Sequence, residues 1–322
     1  MPTPHNNTLQ RTEYDFPGQT DVYHGKVRDV YTIKDKYLVM VATDRISAFD
    51  RILPRPIPYK GQILNQIADY FLNATGELAP NWLISMPDAN VSLGYKCEPF
   101  KVEVVVRGML VGHAWREYAS GRRELCGLAM PEDMQEYELF TSPLITPTTK
   151  AEAGHDEDIS AVEVINRGLA TKTQFDEMCT LALNLFEKGQ SMAAQRGLLL
   201  ADTKYEFGLQ DGRIILIDEI HTPDSSRYFY RDSYEAFIKD RSLDKPKHLS
   251  KEFVRTWLMD NGFSGQEGQE IPEMTDEVVK NISDRYIELY EQITGRDFVK
   301  PTQTDIVKRI EANVNEAIKE LD

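Results

Sequence analysis

The chain has 322 residues, 41% of them hydrophobic, and a formal net charge of −15. That length supports a packed core and two domains, and the negative balance repels phosphate backbones, which argues against nucleic-acid binding and leaves a small anionic substrate only where a local basic pocket exists. Apolar runs such as YLVMVA (37–42) and IILI (214–217) fall well short of the roughly 20 residues a membrane span needs.

The polar start, MPTPHNNTLQRTEYDFPG, carries no apolar leader segment. Cys97, Cys126 and Cys179 are far apart, which suits a reducing cytoplasm rather than a disulfide framework or a zinc site.

Residues 20–43 are predicted as strand, turn, strand, with Gly25 inside the first and 34–36 as the polar connection. After Gly61, residues Ile63, Leu64, Ile67 and Phe71 recur at helical spacing, and the helix should end before Gly76. PFKVEVVVRG (99–108) reads as a strand and MLVGHAWREYASG as a short helix stopped by Gly121. Residues 141–158, TSPLITPTTKAEAGHDED, show no period and are expected to form a lid or binding loop.

Ser160 with Glu163 and Thr171 with Gln174 make capping boxes. The second opens a long helix that turns Phe175, Met178, Ala182, Leu185 and Phe186 inward and ends at Gly197. A hairpin follows over 198–220. Beyond about 232 the chain is mainly helical, over 249–260, 275–294 and 302–321, with Ser250, Thr275 and Thr302 as N-caps. The expected class is α+β in two lobes: a small β-rich lobe over 1–108, and a larger one over 109–322 that holds the hairpin and a helical tail.

The hairpin carries the clearest chemistry. In LLLADTKYEFG, residues Asp202, Lys204 and Glu206 share one strand face, successive members roughly 7 Å apart. The return strand RIILIDEIH brings back Asp218 and Glu219 behind four apolar residues, which suggests burial. A two-residue Asp211-Gly212 turn would pair Glu206 with Ile217 and send Asp218 to the opposite face. Hard cations need converging carboxylates, so an odd loop over 211–213 is expected, with Mg²⁺ and nucleotide phosphates on Glu206 and Asp218. The plain alternative is an exposed hairpin of solvated charges.

Other constellations are weaker alone. Gly25-Lys26 lacks both the spacing and the Ser/Thr of a Walker A loop, and matches no kinase glycine loop. Asp44, Arg45, Ser47 and Asp50 cluster at a strand end, either as a site or as a polar loop. Arg107 ends an apolar strand with Glu103 on its face, so it is either paired internally or meets a ligand. Arg227, with Ser225 and Ser226, either binds phosphate or is a solvated loop arginine. His155-Asp156-Glu157-Asp158 reads either as a metal site or, better, as acids that suit the N-terminus of the next helix.

Together, GKVRDVY (25–31), ATDRISAFD (42–50), VVVRG (104–108), TPTTKAE (146–152), ADTKYEFG (201–208) and IDEIHTPDSSRYF (217–229) closely resemble the SAICAR synthetase family, in the family's order, over about 20–230. The resemblance implies a ligase that joins L-aspartate to the carboxylate of CAIR with ATP. It also implies two lobes distantly similar to protein kinases, with ATP between them. By position, Lys26 resembles the phosphate-contacting lysine, Glu206 and Asp218 the magnesium ligands, and Asp202 and Lys204 the residues lining the reaction centre. Arg107 and Arg227 resemble ligands of the CAIR phosphate, with Ser225 and Ser226 beside them. Asp44, Arg45, Ser47 and Asp50 match the signature shaping the substrate side. Lys150 resembles part of the aspartate-side lid. The strand over 99–104, with Glu103, resembles the hinge that meets adenine. One departure is His113, which stands where many members carry a serine that helps hold the CAIR phosphate.

The implied partners are the small molecules CAIR and L-aspartate, with ATP and Mg²⁺ as cofactors, no nucleic acid and no membrane, and a monomer or small homo-oligomer in the cytoplasm. The rival readings are a small-molecule kinase of the inositol-phosphate type and a catalytically silent nucleotide-binding module. H-R-D-x-x-x-x-N and D-F-G, the marks of a protein kinase, are absent.

Overall fold

The computed structural model describes residues 8–150, 157–302 and 305–321. Strands β1 (Gln19–His24), β2 (Arg28–Ile33) and β3 (Tyr37–Ala42) precede a small hairpin of β4 (Ser47–Ala48) and β5 (Arg51–Ile52). Helix α1 (Lys60–Thr75) leads to β6 (Leu83–Asp88), β7 (Val91–Tyr95) and the long β8 (Glu98–Met109). Then come α2 (Gly112–Ala119), the short β9 (Glu124–Leu125) and β10 (Leu128–Ala129), and β11 (Leu139–Thr149). Helices α3 (Ala161–Asn166) and α4 (Lys172–Ala194) precede β12 (Leu198–Gln210), β13 (Arg213–Ile217) and β14 (Ser226–Tyr230). Helix α5 (Arg231–Lys239), β15 (His248–Leu249), α6 (Glu252–Asp260), α7 (Asp276–Thr294) and α8 (Ile306–Ile318) follow.

Two compact units form, each drawn from separated stretches of chain. The first gathers the chain up to Tyr70, Leu83–Lys96, and the chain from Leu249. Its sheet runs β1-β2-β3-β7-β6, all antiparallel. The segment 20–43, expected as two strands, is therefore three. It breaks at Gly25, whose N–H donates to the Arg28 carbonyl in a tight turn (2.8 Å). Ile310, Val314 and Ile318, one stripe of α8, bury against Tyr31, Val39 and Leu93. Each such side chain contributes about 1.5–3 kcal/mol of burial. Thr275 caps α7 as expected, accepting from the Val278 N–H. The caps of α6 and α8 differ from expectation: Lys251 stands in place of Ser250, and Asp305, accepting from the Lys308 N–H, in place of Thr302.

The second unit holds Phe71–Trp82 and Cys97–His248. Its antiparallel sheet runs β11-β8-β12-β14-β15, and β13 pairs with β12. Helix α4 buries Phe175, Met178, Ala182, Leu185 and Phe186, and both expected capping boxes are present at Ser160 and Thr171.

The expected loop over 141–158 is corrected in part: its first half is strand β11, paired with β8 from Leu144 to Thr149. Pro143 and Pro147 hide the strand signal. On an end strand of the sheet, a missing N–H is tolerated. His155 and Asp156 lie outside the described residues.

Candidate active site

Strand alternation places the charged residues of the second unit on one sheet face. Arg107 stands opposite Asp202, and Glu103 opposite Glu206. On the flanking strands Thr148 faces Glu103, and Arg227 faces Asp202. The intervening residues Val102, Val104, Val106, Tyr205 and Phe207 are buried on the other face.

At one end, two arginines share one carboxylate. Asp202 Oδ2 accepts from Arg227 Nη1 (2.5 Å) and Arg107 Nη1 (3.3 Å). Arg107 Nε also donates to Thr146 Oγ1 (2.8 Å). Burial pulls the Arg107 guanidinium below its ordinary pKa, with Asp202 opposing the shift. Gly112 has φ +58°, and a Cβ there would lie 2.5 Å from Arg227 Cζ, so the glycine makes room for the guanidinium. His113 Nε2 lies 2.6 Å from Asp158 Oδ2. Burial opposes the charge on Asp158, but the His113 contact outweighs it and holds the carboxyl below its ordinary range. Ser226 turns to the other face, its hydroxyl 2.7 Å from Thr203 Oγ1. The Ser225 carbonyl accepts the Lys204 N–H (3.1 Å).

At the other end, Lys204 Nζ donates to Glu103 Oε1 (2.7 Å) and to Glu206 Oε1. Lys150 Nζ donates to Glu206 Oε2. Burial works against the charges of Lys204, Lys150 and Glu206, yet the pairing wins. Glu206, Glu103 and Asp218 lift Lys204 well above the ordinary lysine range, and Glu206 lifts Lys150 likewise. Lys204 and Lys150 push Glu206 far below the carboxylate range.

The hairpin corrects the expected odd loop. Glu206 pairs with Ile217 and Gln210 with Arg213, so Asp211 and Gly212 alone form the turn. Both have positive φ (51° and 77°), as the turn that matches strand twist requires. Asp218 nonetheless stays within electrostatic reach of this end of the face. Strand β13 stops at Ile217, and Asp218 takes a left-handed conformation (φ 60°). Parity holds only for extended backbone, so the kink frees Asp218 from it, at about 1–2 kcal/mol of strain. The charge of Asp218 reaches both Lys204 and Lys150.

Side chains that the sequence did not signal hold this kink. The Trp82 indole donates to the Asp218 carbonyl (2.9 Å). Three residues on, the buried His221 (φ 58°) has its Nε2 2.7 Å from the Tyr205 hydroxyl, and its carbonyl accepts from Tyr228 (2.8 Å). Burial pushes the His221 imidazole down to about 3, so it is neutral. Glu219 accepts from Thr222 Oγ1 (2.9 Å).

The remaining predicted residues lie in the first unit. Lys26 Nζ is 2.5 Å from Asp50 Oδ1, both side chains about half-exposed. Arg45 donates to the carbonyls of Gly25 (2.9 Å), Lys26 (3.1 Å) and Gln10, and to Asp29 Oδ1 (2.8 Å). Asp44 is buried, its oxygens accepting from the N–H groups of Leu9 (2.8 Å) and Gly61 (3.0 Å). Burial dominates and raises its pKa to about 6. Ser47 sits in β4 opposite Ile52.

Among the described residues, no three His, Cys, Asp or Glu side chains cluster as a metal site, and no helix is long and apolar enough to cross a membrane.

A sheet face that groups arginines at one end and lysine–carboxylate pairs at the other suits an enzyme acting on phosphorylated, anionic substrates. The model of the SAICAR synthetase family matches residues 21–272. The chain is 58% identical over 308 residues to the phosphoribosylaminoimidazole-succinocarboxamide synthase of Bacteroides thetaiotaomicron, covering 95% of this chain and 97% of that one. The enzyme of that name from Flavobacterium psychrophilum is 55% identical over 315 residues, covering 97% and 99%. Among solved structures, the SAICAR-synthase of Saccharomyces cerevisiae complexed with SAICAR has a TM-score of 0.76 at 31% identity, over 91% of this chain and 100% of that one. A SAICAR synthetase in complex with ADP, at 23% identity, shares the fold (TM-score 0.66, 87% of this chain and 100% of that one). The chain belongs to the SAICAR synthetase family, carbon–nitrogen ligases of purine biosynthesis.

Proposed function

We propose that the chain joins L-aspartate to the carboxylate of CAIR at the expense of ATP, releasing SAICAR, ADP and phosphate. The observation that carries this reading is the pairing of Arg107 and Arg227 at one end of a sheet face whose other end holds Lys150, Lys204 and Glu206. A substrate with a phosphate and a carboxylate spans such a face. The arginines would take its phosphate by fork-like hydrogen bonds, which gives orientation as well as affinity.

In the proposed reaction the CAIR carboxylate oxygen attacks the γ-phosphorus and ADP leaves. The aspartate amine then attacks the acyl phosphate carbon, phosphate leaves, and the nitrogen loses a proton as the amide forms. No protein nucleophile is needed. The residues position and stabilise charge. Lys204 and Lys150 would face the developing phosphate charge, with Asp202 and Lys204 lining the reaction centre. Lys26 would contact the nucleotide phosphates, and Glu103 would lie on the nucleotide side. Asp44, Arg45, Ser47 and Asp50 would shape the substrate side, with Ser225 and Ser226 near the CAIR phosphate.

Mg²⁺ fits the donors present. Glu206 and Asp218 offer oxygen ligands only, and this ion takes one or two carboxylates plus phosphate oxygens. The ammonium of Lys150, its side chain 45% exposed, already occupies a cation position on Glu206. Bound there, Mg²⁺ supplies charge neutralisation on the transferring phosphoryl group. The three half-buried cysteine thiols accord with a cytoplasmic setting.

The test is ADP release with each substrate omitted in turn. Release should require ATP, CAIR and aspartate together. Steady ADP release with an alcohol acceptor and no aspartate would instead mark a kinase.

A further inference from the structure

The connections that follow α6 and α7 meet the segment 44–62 at its most strained points. Phe49, Asp50 and Tyr59 all have left-handed backbone, with φ of 52°, 59° and 68°. None is a glycine, so each conformation must be imposed by its surroundings. The β4–β5 hairpin pairs Ala48 with Arg51, which leaves Phe49 and Asp50 as the two turn residues. That is the two-residue turn in which asparagine and glycine usually stand.

The C-terminal chain supplies the constraint. The buried Phe263 packs edge-on against the Phe49 ring, centroids 6.1 Å apart. Gly265 approaches so closely that a Cβ on it would lie 2.6 Å from the Phe49 Cβ. Gly265 is itself fixed by Gln269, whose amide oxygen accepts from the N–H groups of Ser264 (2.7 Å) and Gln266 (3.1 Å). Phe298 meets Tyr59 in the same way, centroids 5.7 Å apart. The consequence falls on Asp50, the second turn residue, whose carboxylate holds the Lys26 ammonium.

We propose that Phe263 and Gly265 are positioning residues for the reaction: they hold the left-handed Phe49–Asp50 turn, and through it set where Asp50 presents Lys26. The proposal rests on the reading of Lys26 as a phosphate-contacting lysine. It gives the C-terminal segment a role in nucleotide use beyond filling the core.

The test is a double-mutant cycle of Gly265→Ala and Phe49→Gly, with KM measured separately for ATP and CAIR. Gly265→Ala should lower kcat/KM for ATP by about tenfold to a hundredfold through a raised KM for ATP, with a smaller rise in the KM for CAIR, because Asp50 is also read as bordering the substrate side. In the Phe49→Gly background, where the turn tolerates a left-handed backbone unaided, the same change should add little. An equal loss in both backgrounds would mean that the added methyl group acts through strain in its own backbone, and would overturn the proposal. So would a fall in active enzyme with both KM values unchanged. Should G265A not fold, Phe263→Leu replaces it. The expected result is the same rise in KM, larger for ATP than for CAIR, and unchanged kinetics would overturn the proposal.

Hydrogen exchange at the Leu53 amide, which closes the hairpin onto the Ile46 carbonyl (2.8 Å), reads the buttress without any assay of turnover. Exchange should quicken in G265A or F263L, and unaltered exchange would overturn the buttress. A Lys26→Ala enzyme with normal KM for ATP would overturn only the underlying assignment of Lys26.

Discussion

The two ends of the charged sheet face are built alike and charged oppositely. At the arginine end, Arg107 and Arg227 converge on Asp202, so within that hydrogen-bonded group two positive charges meet one negative, while Asp158 is bonded to His113. At the lysine end, Glu103, Glu206 and the nearby Asp218 face Lys150 and Lys204, so negative charge is in excess. Both ends use the same register between β8 and β12, four residues apart. A bare ion pair would serve stability poorly at either place, because desolvating two charges offsets most of their attraction. An excess of one sign leaves unspent attraction for a ligand of the other. On the proposed function, the first end would take an anion such as a phosphate and the second a cation.

The strongest way to break this contrast is Asp218→Ala. It removes one carboxylate from the lysine end and keeps both partners of each hydrogen bond among Glu103, Glu206, Lys150 and Lys204. Turnover measured as ADP release should fall by about a thousandfold or more, with the unfolding midpoint close to that of the parent. Near-normal turnover would remove the metal role from Asp218. Arg107→Met attacks the opposite end. The KM for CAIR should rise on the order of a hundredfold while the KM for ATP stays put. Because the arginine side chain is only 6% exposed, the loss also strips one of two arginine partners from Asp202, which keeps Arg227, and should cost on the order of 1.5 kcal/mol of stability by denaturant titration. Should both substrates respond equally to both changes, the two ends are not separate subsites.

Much of this face was legible from alternation alone. Asp202, Lys204 and Glu206 stand two residues apart, so any strand puts them together, and Glu103 with Arg107 follows the same rule. The capping boxes at Ser160 and Thr171 were legible because their hydrogen bonds close within three residues. What escaped depends on distant or non-extended backbone. Strand β11 hid behind two prolines that only an end strand tolerates. Asp218 was assigned a face by parity, but its left-handed φ suspends parity. The supports for that kink, Trp82 and His221, come from elsewhere in the chain or from the far side of the sheet. No local pattern in the tail points to the Phe49–Asp50 turn that it covers.

The pH dependence of stability sharpens the contrast by setting Glu206 against a buried carboxylate with no ammonium bonded to it. Glu206 is lowered, so its contribution is full above the ordinary glutamate value of about 4.3 and is lost as pH falls below it. Asp44, served by two backbone N–H groups, is raised to about 6. Its contribution is therefore full below the ordinary aspartate value of about 3.9 and is lost as pH rises through about 6, by on the order of 3 kcal/mol. Chemical denaturation between these limits should show Asp44→Asn flattening the decline from pH 4 to 6. Glu206→Gln should instead flatten the acid limb below it. The same slope change from both variants would show that the ammoniums do not govern Glu206.

The smallest change asks how finely the arginine end is set. Gly112→Ala adds one methyl group at φ +58°, where it meets the Arg227 guanidinium at 2.5 Å. Arg227 is the more movable of the two arginines, 18% exposed against 6% for Arg107, so the shift should fall on it and on its bond to Asp202. A displacement of that size within a positioned ligand pair should raise the KM for CAIR by about tenfold, less than the loss of Arg107, and leave the lysine end untouched. The two arginines would then be unequal in kind. Arg107 is a fixed, buried anchor held by Asp202 and Thr146. Arg227 is an adjustable arm whose place depends on the absence of a side chain at 112. A KM for CAIR that does not move in G112A would mean that the phosphate is held by Arg107 without the geometry that Gly112 permits.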